Sequence, residues 1–495
     1  MKKVVITSVP YTDTTAPIMA PAVLKSIAVK AGHEAYAFDL NAYIHNILVE
    51  HPSRLELQEF LWYGKTTDTI TKEIHRLFKY MAEEILKHDP DIVCLSLLHD
   101  QCRIATRWIC YHIKKHSKHI QIVIGGAGIG LLNEPTFIPD LEKNKLIDYY
   151  INGDGEQALY ELLTGNDRYP GINSAEWLEI EDLDALPYPD YDDYDLSIYR
   201  SPFVGVLGSR GCVRQCTFCD VHEYWTKFRW RTAESIFNEM LFQNQKHKTR
   251  VFKFQDSLIN GNMKQFSELI ALLAAHNQNN PTNTISWSSY FIFRPATQMP
   301  EEMWSLMAQS GVRNLVVGVE SFVEHARVHM KKKFDNDAIE HGLAMARKYK
   351  INFVFLMIVG YVTETEDDHQ ESLQWIRDHR HYANEPLLQM VLGNGLHIID
   401  NTWLDRNRDS LGVKDLDPGK KSIRIYNWEI PATGSTPEVR YRRLVEMARE
   451  CQDAGFNVTW THGAIDPQKL VENMLKEQQD KDTFYLGNVP DQVAE

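Results

Sequence analysis

Short apolar runs alternate with amphipathic segments along most of this 495-residue chain, and this alternation limits the possible folds more than any other feature. In residues 1–165, three runs predict buried parallel strands: KVVITSV, DIVCLSLL and IQIVIGG. The segments APAVLKSIAVKAG and RIATRWICYHIKKHS predict helices that cross between them. We therefore predict an α/β fold that begins with a doubly wound, Rossmann-like domain. Such domains bind ligands at the carboxyl ends of the strands, which are followed here by SVPYTDTTAP, LLHD, GGAGIG and NGDGE.

The alternation returns at residue 203, after a link at residues 166–202 that contains the acidic, aromatic stretch IEDLDALPYPDYDDYDLSIY. Up to residue 405, helical segments separate six predicted strands: FVGVLGS, RVFKFQD, ISWSSYFIF, NLVVGVE, NFVFLMIVG and LLQMVLGNG. Six strand–helix units predict a partial (β/α)6 barrel with its chemistry at the carboxyl ends of the strands. Residues 406–495 predict a small, mixed, α-rich C-terminal region.

Composition narrows the functional class. Apolar residues make up 43% of the chain and charged residues 24%, which is typical of a globular protein. The net charge of −14 speaks against a nucleic-acid partner, because phosphate binding requires a basic surface. No stretch reaches the roughly 18–20 apolar residues of a membrane span. Since MKKVVITSVPY also lacks a cleavage site, we expect a cytoplasmic protein with no membrane or nucleic-acid partner.

Three of the seven cysteines share one short loop. Cys212, Cys216 and Cys219 follow the first barrel strand with the spacing C-x3-C-x2-C. Three thiolates on one loop can hold three irons of a cubane cluster and leave the fourth iron open for another ligand. The alternative is a zinc site that uses His222 as a fourth ligand. The remaining cysteines lie in apparent strands or helices and are expected to pack as small apolar side chains: Cys94, Cys102, Cys110 and Cys451.

The segment CVRQCTFC resembles the cluster motif of the radical S-adenosylmethionine (SAM) superfamily. Four further segments agree in order. KFRWRTAESIFNEM resembles the arginine-bearing helix start of that family, and VVGVES resembles the G-x-E-S end of its fourth barrel strand. FQDSLINGN resembles a D-x-x-F-x-x-N motif with Ile259 in place of Phe, and MIVGYVTETEDD resembles a G-x-P-x-E-T motif with Val362 in place of Pro. Residues 1 to about 405 thus resemble the cobalamin-binding subgroup of radical SAM enzymes.

The resemblance implies reductive cleavage of SAM to a 5′-deoxyadenosyl radical at a [4Fe–4S] cluster on the three cysteines. The amino and carboxylate groups of SAM would chelate the open iron. Asp256 would accept a hydrogen bond from the SAM amine, and Gly360 would allow the adenine to approach closely. Glu320 and Ser321 would bind the amino acid or the ribose. The complete implied SAM set is Phe218, Asp256, Glu320, Ser321 and Gly360.

Other interpretations of these polar residues remain open at this stage. Asp256 and Glu320 could cap loops or form internal ion pairs. Arg229, Arg231 and Arg294 could hold the SAM carboxylate, or they could form ordinary ion pairs.

Residues 1–165 resemble a cobalamin-binding domain in their strand pattern and in the segments IQIVIGGAGIG and NGDGEQAL. The implied cobalamin contacts are Ser96, Gly125, Gly126, Gly153 and Glu156. The D-x-H-x-x-G motif is absent, because SVPYTDTTAPIMAP contains no histidine after the first strand. A bound cobalamin would therefore receive no protein histidine on its lower face. In the alternative, the glycines form tight turns and the domain has lost cobalamin.

These observations lead to the hypothesis of a radical SAM enzyme with a [4Fe–4S] cluster, SAM and cobalamin. Its substrate would be an unidentified small molecule or peptide, and its electrons would come from a donor such as flavodoxin or ferredoxin. Methyl transfer is one expected reaction. The alternatives are a corrin-free radical SAM enzyme that docks its substrate on the N-terminal domain, and a non-catalytic iron–sulfur or zinc protein. The sequence assigns no catalytic residue beyond the cofactor ligands.

Overall fold

The computed structural model describes residues 1–10, 16–49, 51–53, 56–57, 60–61, 71–130, 136–199, 203–383, 388–392, 396–416 and 428–460. Within these ranges the chain forms two compact units, residues 1–205 and residues 206–481. Part of the first-strand loop SVPYTDTTAP and part of the predicted C-terminal region lie outside the described residues.

The first unit contains a parallel five-stranded sheet in the order β2-β1-β3-β4-β5. Its strands are β1 Lys3–Ser8, β2 Glu34–Phe38, β3 Ile92–Ser96, β4 Gln121–Gly125 and β5 Tyr149–Ile151. Its helices are α1 Met19–Lys30, α2 Leu40–Val49, α3 Thr71–Leu86, α4 Cys102–His116, α5 Phe137–Lys143 and α6 Gly155–Leu163. Val93 and Ile122 of the sheet share a buried core with Phe78 of α3 and Ile109 of α4. The doubly wound fold predicted for this part of the chain is confirmed.

The acidic link after this domain is fastened to the first unit by buried polar contacts. Lys25 in α1 forms ion pairs with Asp190 at 3.2 Å and with Asp193 at 2.6 Å. The Tyr199 hydroxyl donates to the buried carboxylate of Asp39 at 2.9 Å. Two acidic residues and one tyrosine of the link therefore have specific partners in the first unit.

The second unit contains a seven-stranded sheet in the order β16-β13-β12-β11-β10-β9-β6. Its strands, with two short hairpins, are β6 Val204–Val206, β7 Ser209–Arg210, β8 Arg229–Trp230, β9 Val251–Phe254, β10 Ser286–Phe291, β11 Val312–Glu320, β12 Asn352–Met357, β13 Leu388–Leu392, β14 Lys414–Asp415, β15 Trp428–Glu429 and β16 Asn457–Trp460. Its helices are α7 Val221–Tyr224, α8 Ala233–His247, α9 Met263–Asn279, α10 Glu301–Gln309, α11 Glu324–His329, α12 Asn336–Tyr349, α13 Glu366–Asp378, α14 Trp403–Arg406 and α15 Pro437–Asp453.

All six strands predicted for the barrel are present, and the pairings from β9 through β13 to β16 are parallel. The sequence prediction missed β16, which extends the sheet beyond β13 from within the region predicted to be α-rich. Trp287 on β10 packs edge-on against Phe254 and Phe266, so that aromatic contacts join the sheet to α9. Parallel strands with helical crossovers place the strand ends at one edge, and that edge carries the site described next.

No helix in the described part of the chain combines the length and the apolar character that crossing a membrane would require.

Candidate active site

The three clustered cysteines lie on the loop between β7 and α7. The loop starts at Gly211, whose φ is +80°. A Cβ at this position would come within 2.5 Å of the backbone oxygen of Lys227, so only glycine fits against the neighbouring strand β8. All three cysteines are partly exposed and carry free thiols. The β7–β8 hairpin thus fixes the start of the cysteine loop.

Thr217, between the second and third cysteines, anchors the middle of this loop. Its backbone nitrogen donates to the carbonyl of Met330 at 3.2 Å, and its own carbonyl accepts from the nitrogen of Leu404 at 3.0 Å. Its hydroxyl is hydrogen-bonded to the Tyr361 hydroxyl at 2.7 Å, and Tyr361 is in turn hydrogen-bonded to His329 at 2.9 Å. The loop is therefore attached to three other segments of the barrel mouth. Sequence reasoning missed this network, because no local pattern marks Thr217 or Tyr361.

The surroundings of the thiols favour binding to a cationic centre. Burial raises the pKa of Cys212 and Cys216, and it raises the pKa of Cys219 to about 12. The charge of Cys212 further raises the pKa of Cys216, and the charges of Cys212 and Cys216 further raise the pKa of Cys219. Thiolates in such a place need compensating positive charge, which the irons of a cluster supply.

The donor set fits an iron–sulfur cluster better than a zinc site. His222, the fourth ligand that a zinc site would use, has its Nε2 in a hydrogen bond with the backbone carbonyl of Arg214. This ring therefore braces the cysteine loop. Among the described residues, no group of three or more His, Cys, Asp or Glu side chains is preassembled for a metal ion. Three thiols on one loop, with the His222 ring bonded to the backbone, match the ligand set of a cluster with an open iron.

A buried ion pair between Glu320 and Lys332 lies beside the cysteine loop. Lys332 Nζ is 2.8 Å from Glu320 Oε1 and 5.3 Å from the centre of the Phe218 ring. Burial by itself would lower the pKa of Lys332, but Glu320 and the thiol of Cys216 outweigh it and hold the pKa above its usual value. The ammonium group in turn opposes the rise in the pKa of Cys216. Sequence reasoning missed Lys332, because it is the middle residue of the run KKK, which resembles a solvated surface.

The shape of the fourth barrel strand makes room for this pair. A Cβ on Gly318 would lie 2.3 Å from Glu320 Oε1 and 2.8 Å from Lys332 Nζ. Glu320 has a φ of +67°, which is uncommon for a residue with a side chain, and the register of β11 against β12 shifts between Gly318 and Glu320. The ion pair thus explains the Gly and the Glu of the G-x-E-S motif. Ser321, which follows, accepts a hydrogen bond on its hydroxyl from the Val323 nitrogen at 3.2 Å.

Asp256 supports the segment that leads into the cysteine loop. Its carboxylate accepts hydrogen bonds from the Gly208 nitrogen at 2.8 Å and from the Ser209 hydroxyl at 2.5 Å. Burial raises its pKa to about 7, although both hydrogen bonds oppose the rise. This is the loop-supporting alternative considered for Asp256, and the contact to the SAM amine stays a prediction.

The turn after β12 does not have the open space beside Gly360 that the sequence analysis expected for adenine. Gly360 has a φ of +78°, and a Cβ there would meet the side chain of Arg440 from α15 at 2.4–3.1 Å. Its nitrogen donates to Glu364 at 3.0 Å, and Glu364 accepts from Arg443 at 3.1 Å. The side where a Cβ would project is therefore filled by protein. A contact between Gly360 and SAM stays a prediction. The expected space for adenine is not present on the side where a Cβ would project.

The three uncertain arginines are all buried or bonded within the barrel. Arg231 forms an ion pair with the buried Glu239. Arg294 donates to the carbonyl of Asn260 at 2.8 Å. Arg229 is buried within β8. For Arg231 the ion-pair interpretation is therefore the one that the contacts support.

In the first unit, the proposed cobalamin contacts lie at the carboxyl ends of neighbouring strands. Ser96 ends β3, Gly125 ends β4, and Glu156 is buried in the first turn of α6 after β5. Gly126 and Gly153 each face neighbouring backbone. A Cβ on Gly126 would lie 2.4 Å from the Leu97 oxygen, and one on Gly153 would lie 2.3 Å from the Leu178 oxygen. Close packing against neighbouring backbone therefore explains why both positions are glycine. This agrees with the alternative in which these glycines form tight turns.

Comparison with known proteins connects the second unit with one family. Residues 206–376 match the radical SAM superfamily. The uncharacterized methyltransferase PH0819 of Pyrococcus horikoshii is 23% identical over 326 residues, which cover 61% of this chain and 67% of that protein. Across three curated relatives, the matched part covers between 35% and 67% of their length.

Two solved structures share the fold. TsrM from Kitasatospora setae is a radical SAM methyltransferase solved with cobalamin and a [4Fe–4S] cluster, and it matches with a TM-score of 0.61, 16% identity, and coverage of 89% of this chain and 85% of that one. OxsB is a cobalamin-dependent SAM radical enzyme solved with aqua-cobalamin and SAM, and it matches with a TM-score of 0.60, 14% identity, and coverage of 99% of this chain and 62% of that one.

The motifs and the family match identify residues 206–376 as the radical SAM domain of an enzyme. In fold, the chain is similar to TsrM and OxsB, in agreement with the sequence prediction. The predicted cofactor classes agree with the family and with the groups bound in TsrM and OxsB. The individual site residues stay predictions.

We predict that Gly153→Ala destabilises the first unit more than Gly165→Ala does. The two glycines have similar φ angles of +92° and +99°, but only the Cβ at residue 153 would meet neighbouring backbone within 4 Å. The left-handed angle alone costs about 1–3 kcal/mol, and the contact at residue 153 adds to that cost. Urea unfolding, with hydrogen exchange in β5 as a local readout, measures the difference. Equal losses in the two variants would contradict the packing argument.

We also predict that Asp256 makes stability depend on pH. Because burial raises its pKa from an ordinary value of 3.8 to about 7, the native state holds a proton in that interval that the unfolded chain releases. Its contribution to stability therefore falls as the pH rises from about 4 to 7. Relative to wild type, Asp256→Asn should gain roughly 1–4 kcal/mol across this interval, measured by urea unfolding. Asp337→Asn, at an exposed position, is the control, and a constant difference for Asp256→Asn would contradict the prediction.

Proposed function

We propose that this protein holds a [4Fe–4S] cluster on Cys212, Cys216 and Cys219, cleaves SAM reductively, and transfers a methyl group to a small organic substrate with the help of cobalamin. The observation that carries the proposal is the anchored three-thiol loop beside the buried Glu320–Lys332 pair at the barrel mouth. When bound, the cluster supplies the electron that breaks a carbon–sulfur bond of SAM.

The residues of the chain prepare this site in three ways. The hydrogen bonds of Asp256 fix the backbone before the loop, and those of Thr217 fix its centre. Glu320 offers a carboxylate to a cationic ligand at the mouth, while Lys332 keeps that carboxylate oriented. A preorganised arrangement of this kind would reduce the reorganisation that is needed to position the cosubstrate.

The cobalamin part of the proposal is supported by the first unit. Its parallel sheet brings Ser96, Gly125 and Glu156 to one edge, where doubly wound domains bind ligands. The names of TsrM and OxsB connect the shared fold with cobalamin. Because no histidine follows β1 in the sequence SVPYTDTTAP, the lower face of cobalt would receive no imidazole from that loop.

A corrin-free radical SAM enzyme is the second candidate, and one observation favours it. The neighbouring backbone already fills the space beside Gly126 and Gly153. Packing alone therefore explains these glycines, and no bound ligand is needed to explain them. In that case the first unit would serve substrate docking, and the reaction would be a hydrogen abstraction without methyl transfer.

Anaerobic reconstitution tests the cluster. We expect each of Cys212→Ser, Cys216→Ser and Cys219→Ser to lose most of the broad iron–sulfur absorbance and the EPR signal of the reduced cluster, because each removes one of three ligands. Cys451→Ser, at a buried position in α15, is the matched control and should keep its cluster. A full cluster in any of the first three variants would overturn the ligand assignment.

In the same experiment, SAM mixed with dithionite-reduced protein should yield 5′-deoxyadenosine. Glu320→Gln should retain the cluster but bind SAM about ten- to a hundredfold more weakly, since a hydrogen bond to a charged group contributes about 1.5–3 kcal/mol. If the wild-type cluster is reduced and no 5′-deoxyadenosine forms, the proposed radical chemistry is wrong. If Glu320→Gln binds SAM as well as wild type does, only the role of Glu320 is wrong.

Retention of corrin tests the cobalamin part. Hydroxocobalamin supplied during expression should co-purify at close to one equivalent, with an absorption spectrum that lacks the signature of a coordinated nitrogen base. Bulky replacement of Gly125 by Phe at the end of β4 should reduce this retention, while the cluster content stays unchanged. A wild-type protein that carries its cluster but retains no corrin would favour the corrin-free candidate.

A further inference from the structure

The turn that follows α11 places the side chain of Lys332 beside the cysteine loop. In this turn the Met330 carbonyl accepts a hydrogen bond from the backbone nitrogen of Thr217 in the loop, at 3.2 Å. The Lys332 side chain is only 9% exposed, and its Nζ lies 5.3 Å from the centre of the Phe218 ring, which belongs to the same loop. The ammonium group is therefore held next to the segment that carries the three thiols.

Lys332 differs from the two lysines beside it in its surroundings. Lys331 and Lys333 are exposed, whereas Lys332 is buried. Water and salt screen an exposed charge strongly, but they screen a buried charge much less. Lys333 therefore carries the same charge in solvent, one residue away, and serves as a control for the charge of Lys332.

The Glu320–Lys332 pair is oriented with respect to the thiols. Burial has the largest effect on the pKa of Cys212 and of Cys216, and it raises both values. Lys332 opposes this rise at both thiols, whereas Glu320 adds to the rise at Cys216 and has the smaller effect there. The positive end of the pair thus acts on the cysteine site more strongly than the negative end does.

We propose that Lys332 sets the charge state of the three-cysteine site: its ammonium group stabilises the more negative form of the site and raises the reduction potential of a cluster held there. This inference rests on the proposed function, which assigns the cluster to these cysteines. Reduction adds one electron to the cluster, so a fixed positive charge nearby favours the reduced state. In the cluster-free protein, the same charge favours thiolate over thiol. This role does not require Lys332 to contact SAM.

Redox titration of the cluster-loaded protein in the absence of SAM tests the proposal. Dithionite supplies the electrons through mediator dyes, and the EPR signal of the reduced cluster is measured at each potential. Lys332→Met should lower the ratio of reduced to oxidised cluster about tenfold at a fixed potential, which is about 59 mV for a one-electron couple. Glu320→Gln should shift the potential in the opposite direction, because it leaves the ammonium group without its counter-charge.

Two further variants separate the charge of Lys332 from its packing. Lys333→Met removes the same charge from an exposed position and should leave the potential unchanged. Lys332→Arg keeps the charge and should hold the potential closer to the wild-type value than Lys332→Met does. Shifts in the same direction in Lys332→Met and Glu320→Gln would overturn the proposal. An unchanged potential in Lys332→Met, together with weaker SAM binding, would assign Lys332 to SAM instead and would overturn it as well.

Thiol reactivity tests the same charge without a cluster. Iodoacetamide alkylates thiolates in the metal-free protein, and mass spectrometry measures the rate at each cysteine. At a fixed, mildly alkaline pH, Lys332→Met should slow the alkylation of Cys216 about three- to tenfold, and Lys333→Met should leave the rate unchanged.

The alkylation rates also distinguish failure of this inference from failure of the proposed function. If wild type takes up no cluster, the proposed function is wrong, and the rates still decide the role of Lys332. They decide it in the same way if only Lys332→Met takes up no cluster. Equal rates at Cys216 in Lys332→Met and wild type would overturn the inference in either case.

Discussion

The arrangement of the barrel mouth depends on the free-energy cost of burying negatively charged groups there. Three thiols lie in a place where burial disfavours their ionised forms, and the ammonium group of Lys332 opposes this effect on Cys216. An ammonium group buried so deeply needs its own partner, which Glu320 provides. Glu320 reaches it only from an unusual backbone angle, and Gly318 must leave the space empty. One ion pair thus determines the shape of a whole strand end.

The net charge of the chain includes many acidic residues that are paired with basic side chains inside the protein. Asp190 and Asp193 neutralise a buried lysine in the first unit, and Glu364 and Glu366 pair with Arg443 in the second. The net charge of the chain therefore says little about any one surface. It speaks against a nucleic-acid scaffold, but it gives no indication of which acidic side chains are paired inside the protein.

The sequence predicted those features that depend on local pattern. Alternating apolar runs identified β1, β3, β4 and the six barrel strands, and the C-x3-C-x2-C spacing identified the cysteine loop. Features that depend on partners far away in the sequence could not be predicted from the local pattern. Asp256 is bonded to residues 47 and 48 positions earlier, and Gly360 is covered by Arg440 from the C-terminal helix. Lys332 is buried between two exposed lysines, a difference that only the packed structure reveals.

The packing of α15 against the turn at Gly360 has a consequence for the order of assembly during synthesis. The cysteine loop leaves the ribosome more than 200 residues before Arg440 and Arg443, which cover and brace that turn. β16, the strand that extends the sheet, follows later still. The nascent chain therefore displays its three thiols long before the barrel that protects them is complete. A cofactor held by these thiols would therefore gain the cover of this helix only after translation has passed residue 453.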